Sequence, residues 1–67
     1  MSLDAAGELQ AEVLRPREAA RYVGVSRPTI DRWRKAGNFP KALQLGAQSI
    51  GWRRSDLDEW LNNRPAV

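Results

Sequence analysis

The sequence contains no cysteine and no histidine. The first absence removes disulfides and thiolate metal sites. The second leaves zinc only carboxylate ligands, unlike the nitrogen and sulfur sets of structural sites, so neither metal nor other cofactor is expected. No apolar run approaches the roughly 20 residues of a membrane helix. Met1-Ser2-Leu3-Asp4 has no basic segment ahead of an apolar stretch, which argues against a signal peptide. With the lack of cysteine this fits a cytoplasmic protein without a membrane partner. No nucleophile–base pair is visible, and a chain of 67 residues offers little depth for a catalytic pocket. An enzyme is not expected.

What the chain has is basic charge, unevenly placed. The net charge is +3, and the isoelectric point near 10.2 lies above the value of about 9 that marks nucleic-acid binders. The segment before Arg15 holds Asp4, Glu8 and Glu12 and no base, whereas the rest carries all 11 bases against five acids. A basic body behind an acidic tail suits a polyanionic partner. Residues 1–13 have no strong apolar period and read as a flexible tail, residues 14–64 as one domain, and 65–67 as the C-terminal end.

The spacing predicts a helix from Pro16 to Val23, opened by proline at its first position and stopped by Gly24. Ser26 caps a second helix over Arg27–Ala36, which Gly37 ends. Asn38-Phe39-Pro40 is a connector with Phe39 packed beneath it. Two short alternations follow, with Leu43 and Leu45 on one face of the first and Ile50 and Trp52 on one face of the second. Gly46-Ala47-Gln48 forms the hairpin loop between them. Ser55 reads as the cap of a last helix, with Asp56, Asp58 and Glu59 in its first turn and Leu57, Trp60 and Leu61 on one buried face. The fold class is mainly α with a small β-hairpin, ordered helix-turn-helix-hairpin-helix: a winged helix-turn-helix. Trp33, Phe39, Trp52 and Trp60 are expected to fill the core rather than stack on bases.

Ala20, Gly24 and Ile30 supply the small contact, the turn and the apolar anchor of a helix-turn-helix. At about 100° per residue, Ile30, Trp33 and Gly37 face the core, and Pro28, Asp31, Arg32 and Lys35 face solvent. Ser26, Arg27 and Thr29 stand at the end where a recognition helix meets base edges. Arg32 has the geometry to read guanine O6 and N7. Lys35 suits phosphate, and Thr29 phosphate or a thymine methyl. Asp31 either reads a base or pairs with Lys35 within the helix. Arg34 projects toward the core side and is expected to pair with an acid of the last helix. Gln48 at the wing tip either enters a groove or faces solvent, and one of Arg53 and Arg54 is expected on phosphate.

These residues resemble the AlpA family of phage-type transcriptional regulators over Leu14–Arg64. The resemblance rests on Glu18-Ala19-Ala20, Val23-Gly24-Val25-Ser26-Arg27, Thr29-Ile30-Asp31-Arg32-Trp33, Gly37-Asn38-Phe39-Pro40, Leu45-Gly46, Ile50-Gly51-Trp52-Arg53 and Ser55 through Leu61. It implies a MerR-like, excisionase-like winged fold that controls a mobile element, with the recognition helix on Ser26–Ala36. The chain departs from the family pattern at Asp31 and Pro28. The expected function is a sequence-specific double-stranded DNA-binding regulator of transcription from a phage or prophage. The alternative is a recombination directionality factor that bends attachment-site DNA beside an integrase. Self-association on DNA is expected because one copy offers little surface. A protein-interaction module would need an exposed apolar patch, and no apolar residue stands clear of the expected core positions.

Overall fold

A computed structural model describes residues 11–67. Its elements are β1 (Val13–Leu14), α1 (Pro16–Val23), α2 (Arg27–Ala36), β2 (Leu43–Gln44), β3 (Ile50–Arg53) and α3 (Arg54–Asn62). The arrangement is a mainly helical winged helix-turn-helix, as the sequence pattern predicts.

Both helices of the helix-turn-helix are bounded by local chemistry. Pro16 sits in the first turn of α1, and the Glu18 carboxylate accepts the Arg15 backbone N–H at 2.8 Å. That bond satisfies one donor the helix cannot use and sets a negative charge at the positive end of its dipole. Gly24 ends α1 with φ at 91°, a left-handed conformation that a side chain disfavours. The N–H groups of Gly24 and Val25 both reach the Ala20 carbonyl, at 2.8 and 2.9 Å. The Ser26 hydroxyl then accepts the Thr29 N–H at 3.4 Å and caps α2. The turn is therefore closed from both sides, and Ala19 and Ala20, both buried, sit in the core alongside Ile30 of α2.

The sheet has three strands in the order β1-β3-β2, all antiparallel. The hairpin pairs Leu43 with Gly51 and Gln44 with Ile50. Its loop closes through the Leu45 N–H to the Ser49 carbonyl at 2.7 Å. Beyond the sequence reading, β1 pairs Val13 with Arg53 and Leu14 with Trp52. Val13, expected in a flexible tail, instead forms part of the sheet, and the carbonyl of Glu12, expected in the same tail, accepts a backbone hydrogen bond from Arg54. Residues 1–10 of that expected tail lie outside the described residues. A two-stranded hairpin is marginal alone, and β1 supplies the third strand.

Trp52, Leu14, Ile30 and Leu57 are fully buried. Phe39 is buried among the three tryptophans, with ring centroids 4.9 Å from Trp60, 5.4 Å from Trp52 and 6.2 Å from Trp33. Trp52 Nε1 donates to the Pro40 carbonyl at 2.7 Å, and Trp60 Nε1 to the Asn38 carbonyl at 3.1 Å. Two indoles thus hold the connector from either side of Phe39. Trp33 and Trp60 are half-buried rather than central.

Two expectations for the last helix fail. Its cap is Arg53 rather than Ser55, and its first turn holds only Asp56 of the three acids. Strand β3 runs straight into α3, and the Arg54 N–H is taken by the Glu12 carbonyl at 2.9 Å, so no serine cap is needed there. Leu61 is also 37% exposed. Leu57, near the start of α3, is fully buried, whereas Leu61 stands in its last turn at the exposed end of the helix.

Candidate nucleic-acid interface

The helix-turn-helix fixes α2 by its inner face. Ile30 is buried and Trp33 half-buried, leaving Arg27, Pro28, Arg32 and Lys35 exposed and Asp31 and Thr29 partly so. The Ser26 and Thr29 hydroxyls lie 2.9 Å apart in a hydrogen bond. That bond orients the Thr29 hydroxyl toward the capped end of α2. Asp31 and Lys35 form no ion pair among the described residues, so the expected intrahelical bridge is absent. The expected pairing of Arg34 with an acid of α3 is also absent among the described residues. Arg34 is exposed and turned toward the wing instead.

Between the start of α1, one side of α2 and the wing lies an open cleft of about 800 Å³. Arg15, Arg17, Arg21, Arg27 and Arg34 border it, together with Gln48. The Arg15 Nε–H donates to the Ile50 carbonyl at 2.9 Å, which ties the start of α1 to the root of the wing. The Gln44 amide donates to the Gly46 carbonyl at 2.7 Å and to the Ala47 carbonyl at 3.3 Å, which stiffens the wing tip. Among the described residues, the single acid on the cleft wall is Glu18, whose carboxylate already holds the Arg15 N–H.

Residues 12–65 match the family described as Prophage CP4-57 regulatory protein (AlpA). The chain belongs to this AlpA family. Among its relatives is the DNA-binding transcriptional activator AlpA of Escherichia coli (strain K12), 36% identical over 58 residues, spanning 78% of this chain and 83% of that protein. Another is an uncharacterized protein, ORF88, of Enterobacteria phage P4, 33% identical over 57 residues, or 85% of this chain and 65% of the relative. The family is one of regulatory proteins, in agreement with the expectation that the chain is not an enzyme. No helix among the described residues is long and apolar enough to cross a membrane.

In this AlpA-family chain the expected site residues fall into three places. Ser26, Arg27, Pro28, Thr29, Asp31, Arg32 and Lys35 all lie on α2 or its cap. Gln48 stands at the wing tip and shares the cleft with Arg27. Arg53 and Arg54 lie elsewhere, and neither borders the cleft. Arg53 is exposed, with Asp56 at 3.7 Å, a surface pairing worth about 0–1 kcal/mol. Arg54 is half-buried at the root of α3, close enough to favour the charged form of Tyr22.

The residues that sequence reasoning left out are Arg15, Arg17, Arg21 and Arg34. A signal for them existed. Arg17 and Arg21 are four apart on one helix, and Arg27 and Arg34 fall within about 20° of each other at about 100° per residue. What periodicity does not carry is that the wing closes over that side of α2.

Proposed function

We propose that the chain is a sequence-specific double-stranded DNA-binding regulator of transcription, serving a phage or other mobile element. The observation that carries this reading is the outer face of α2. Arg32 and Lys35 are exposed there, with Arg27 exposed on its flank, all without an ion pair among the described residues, on a helix whose inner face and both ends are fixed. In this reading α2 enters the major groove. Arg32 reads guanine through O6 and N7, Thr29 meets a thymine methyl, and Ser26, Arg27 and Lys35 meet the backbone. Pro28 adds apolar contact without an N–H, and Asp31 selects against the wrong base. Gln48 lies along the adjoining groove, and Arg53 gives up its weak partner Asp56 for phosphate. Arg54 serves mainly inside the fold. The description of the Escherichia coli relative as a DNA-binding transcriptional activator supports the same reading.

A module this small covers little DNA, since single modules bury roughly 600–1,000 Å². Specific binding is therefore expected from copies side by side on repeated sites. Footprinting on DNA flanking the native gene, with a promoter reporter on the protected fragment, tests the proposal. Protection of short repeats and a changed promoter output are expected. An unprotected fragment together with salt-independent binding would overturn it. Circular-permutation gel shifts on the protected site separate this role from that of a directionality factor, which must bend its site strongly.

A further inference from the structure

The arginine cleft is larger than the reading of α2 requires, and most of its charge lies outside that helix. Among the described residues, five guanidinium groups border one open space against a single carboxylate that is already engaged. Like charges gathered in this way repel one another unless an anion joins them. Arg17, Arg27 and Arg34 have no partner among the described residues. Among the described residues, Arg15 spends only its Nε–H, on the Ile50 carbonyl. A guanidinium has five N–H donors, so this one is held in place with four to spare.

We propose that the cleft seats one sugar–phosphate strand of the DNA duplex, gripped by Arg15, Arg17 and Arg34 with Arg27 at its edge. The inference rests on the DNA-binding reading above and adds a second surface to it. A single backbone strand separates the major groove from the minor groove. A helix in the first and a wing along the second must straddle that strand, and the cleft lies between α2 and the wing. The guanidinium fork matches a phosphate's oxygens two at a time. The wing tip itself carries no charge. It acts as a wall, stiffened by Gln44, while α1 and α2 supply the cations. Most phosphate affinity then comes from this cleft, ahead of Arg53 and Arg54.

The test compares Arg17→Gln, Arg34→Gln and the double variant with wild type. Arg64→Gln is the control. It removes the same charge from an exposed residue whose guanidinium lies over the Trp60 ring at 4.8 Å, away from the cleft. Glutamine keeps most of the aliphatic stem and deletes the charge. Fluorescence anisotropy on a labelled duplex bearing the footprinted site, and on a scrambled duplex of equal length, is followed across a salt series. Each cleft variant is expected to lower the log–log salt slope by about one unit and the double variant by about two. Both duplexes should weaken alike, with melting temperatures unchanged. If the slope of the double variant equals that of wild type, or Arg64→Gln lowers it as much as a cleft variant, the cleft proposal is overturned and the DNA reading stands. If wild type binds neither duplex at low salt, the DNA reading fails and the cleft falls with it.

Discussion

The backbone N–H of Arg54 donates to the carbonyl of Glu12 at 2.9 Å. This bond joins the segment before α1 to the junction where β3 becomes α3. Beside it Val13 pairs with Arg53. A chain starting at Leu14 loses both features, although the apolar periods begin there. A hydrogen bond of this kind contributes about 0.5–1.5 kcal/mol, and a domain this small shifts its melting temperature by about 4–8 °C per kcal/mol. A chain starting at Ala11 should therefore melt several degrees above one starting at Leu14. Differential scanning calorimetry on the two truncations checks this, and equal melting temperatures would remove β1 from the fold's stability.

Gly51 is the residue on which the three strands converge. A Cβ added there would lie 2.9 Å from the Leu14 carbonyl oxygen and 3.0 Å from carbons of Leu45 and Val13. A backbone oxygen held in a sheet cannot swing away as a side-chain tip can. Gly51→Ala should therefore push β1 off β3 and cost about 1–3 kcal/mol, as overpacking does. Urea unfolding should show a lower midpoint with a similar slope.

The tryptophans differ in what their loss removes. Trp52 is fully buried and its indole N–H holds the Pro40 carbonyl. Trp52→Ala should cost about 3–5 kcal/mol, comparable to all that so small a core supplies, and leave the chain unfolded. Trp60 is half-buried, with Arg64 over its ring. Trp60→Ala should give a weakened but folded domain. Far-ultraviolet circular dichroism of the two variants separates these outcomes.

The order and nature of the helices were legible because each is bounded by its own residues: Pro16 and Gly24 for α1, Ser26 and Gly37 for α2. The hairpin was legible from alternation. Strand β1 was not, because Val13-Leu14 is too short to show a period and its partner lies some forty residues away. The spacing of Leu57, Trp60 and Leu61 overstated burial, since periodicity gives a face but not how far the neighbouring layer extends. The α2 face could be projected from sequence. Arg34 was misplaced because it stands beside the core stripe, and only the wing decides that this flank is an open cleft rather than an interior.

Tyr22 of α1 donates its hydroxyl proton to Asp58 of α3 at 2.5 Å. This bond, and after it burial, raises the phenol above its ordinary value near 10. The folded state therefore favours the protonated phenol. The resulting stability is fully present below the unfolded value of about 10 and is lost as pH rises through the higher folded value. Wild type should lose stability above about pH 10 more steeply than Tyr22→Phe, which has no phenol to ionise. Melting temperatures of both chains along an alkaline series check this, and parallel curves would mean that the Tyr22–Asp58 bond does not persist in solution.

Arg32 and Lys35 are both exposed on α2, but their positions assign them different work. Arg32 is about one and a half helical turns from the capped end of α2, near the middle of its solvent face. Lys35 lies in the last turn, where a helix crossing the groove leaves the bases and meets the strand. A guanidinium bidentate to guanine discriminates among bases, whereas an ammonium acts on phosphate as a point charge. Arg32→Ala should cost about 1–3 kcal/mol on the cognate duplex and relax preference at one base pair. Lys35→Ala should weaken cognate and scrambled duplexes alike and lower the salt slope by about one unit. Binding to a panel of single-base variants of the footprinted site measures the first effect, and a salt series the second. Should Arg32→Ala reduce binding equally across the panel, sequence reading would have to pass to Thr29 and Asp31, and Arg32 would join the backbone contacts.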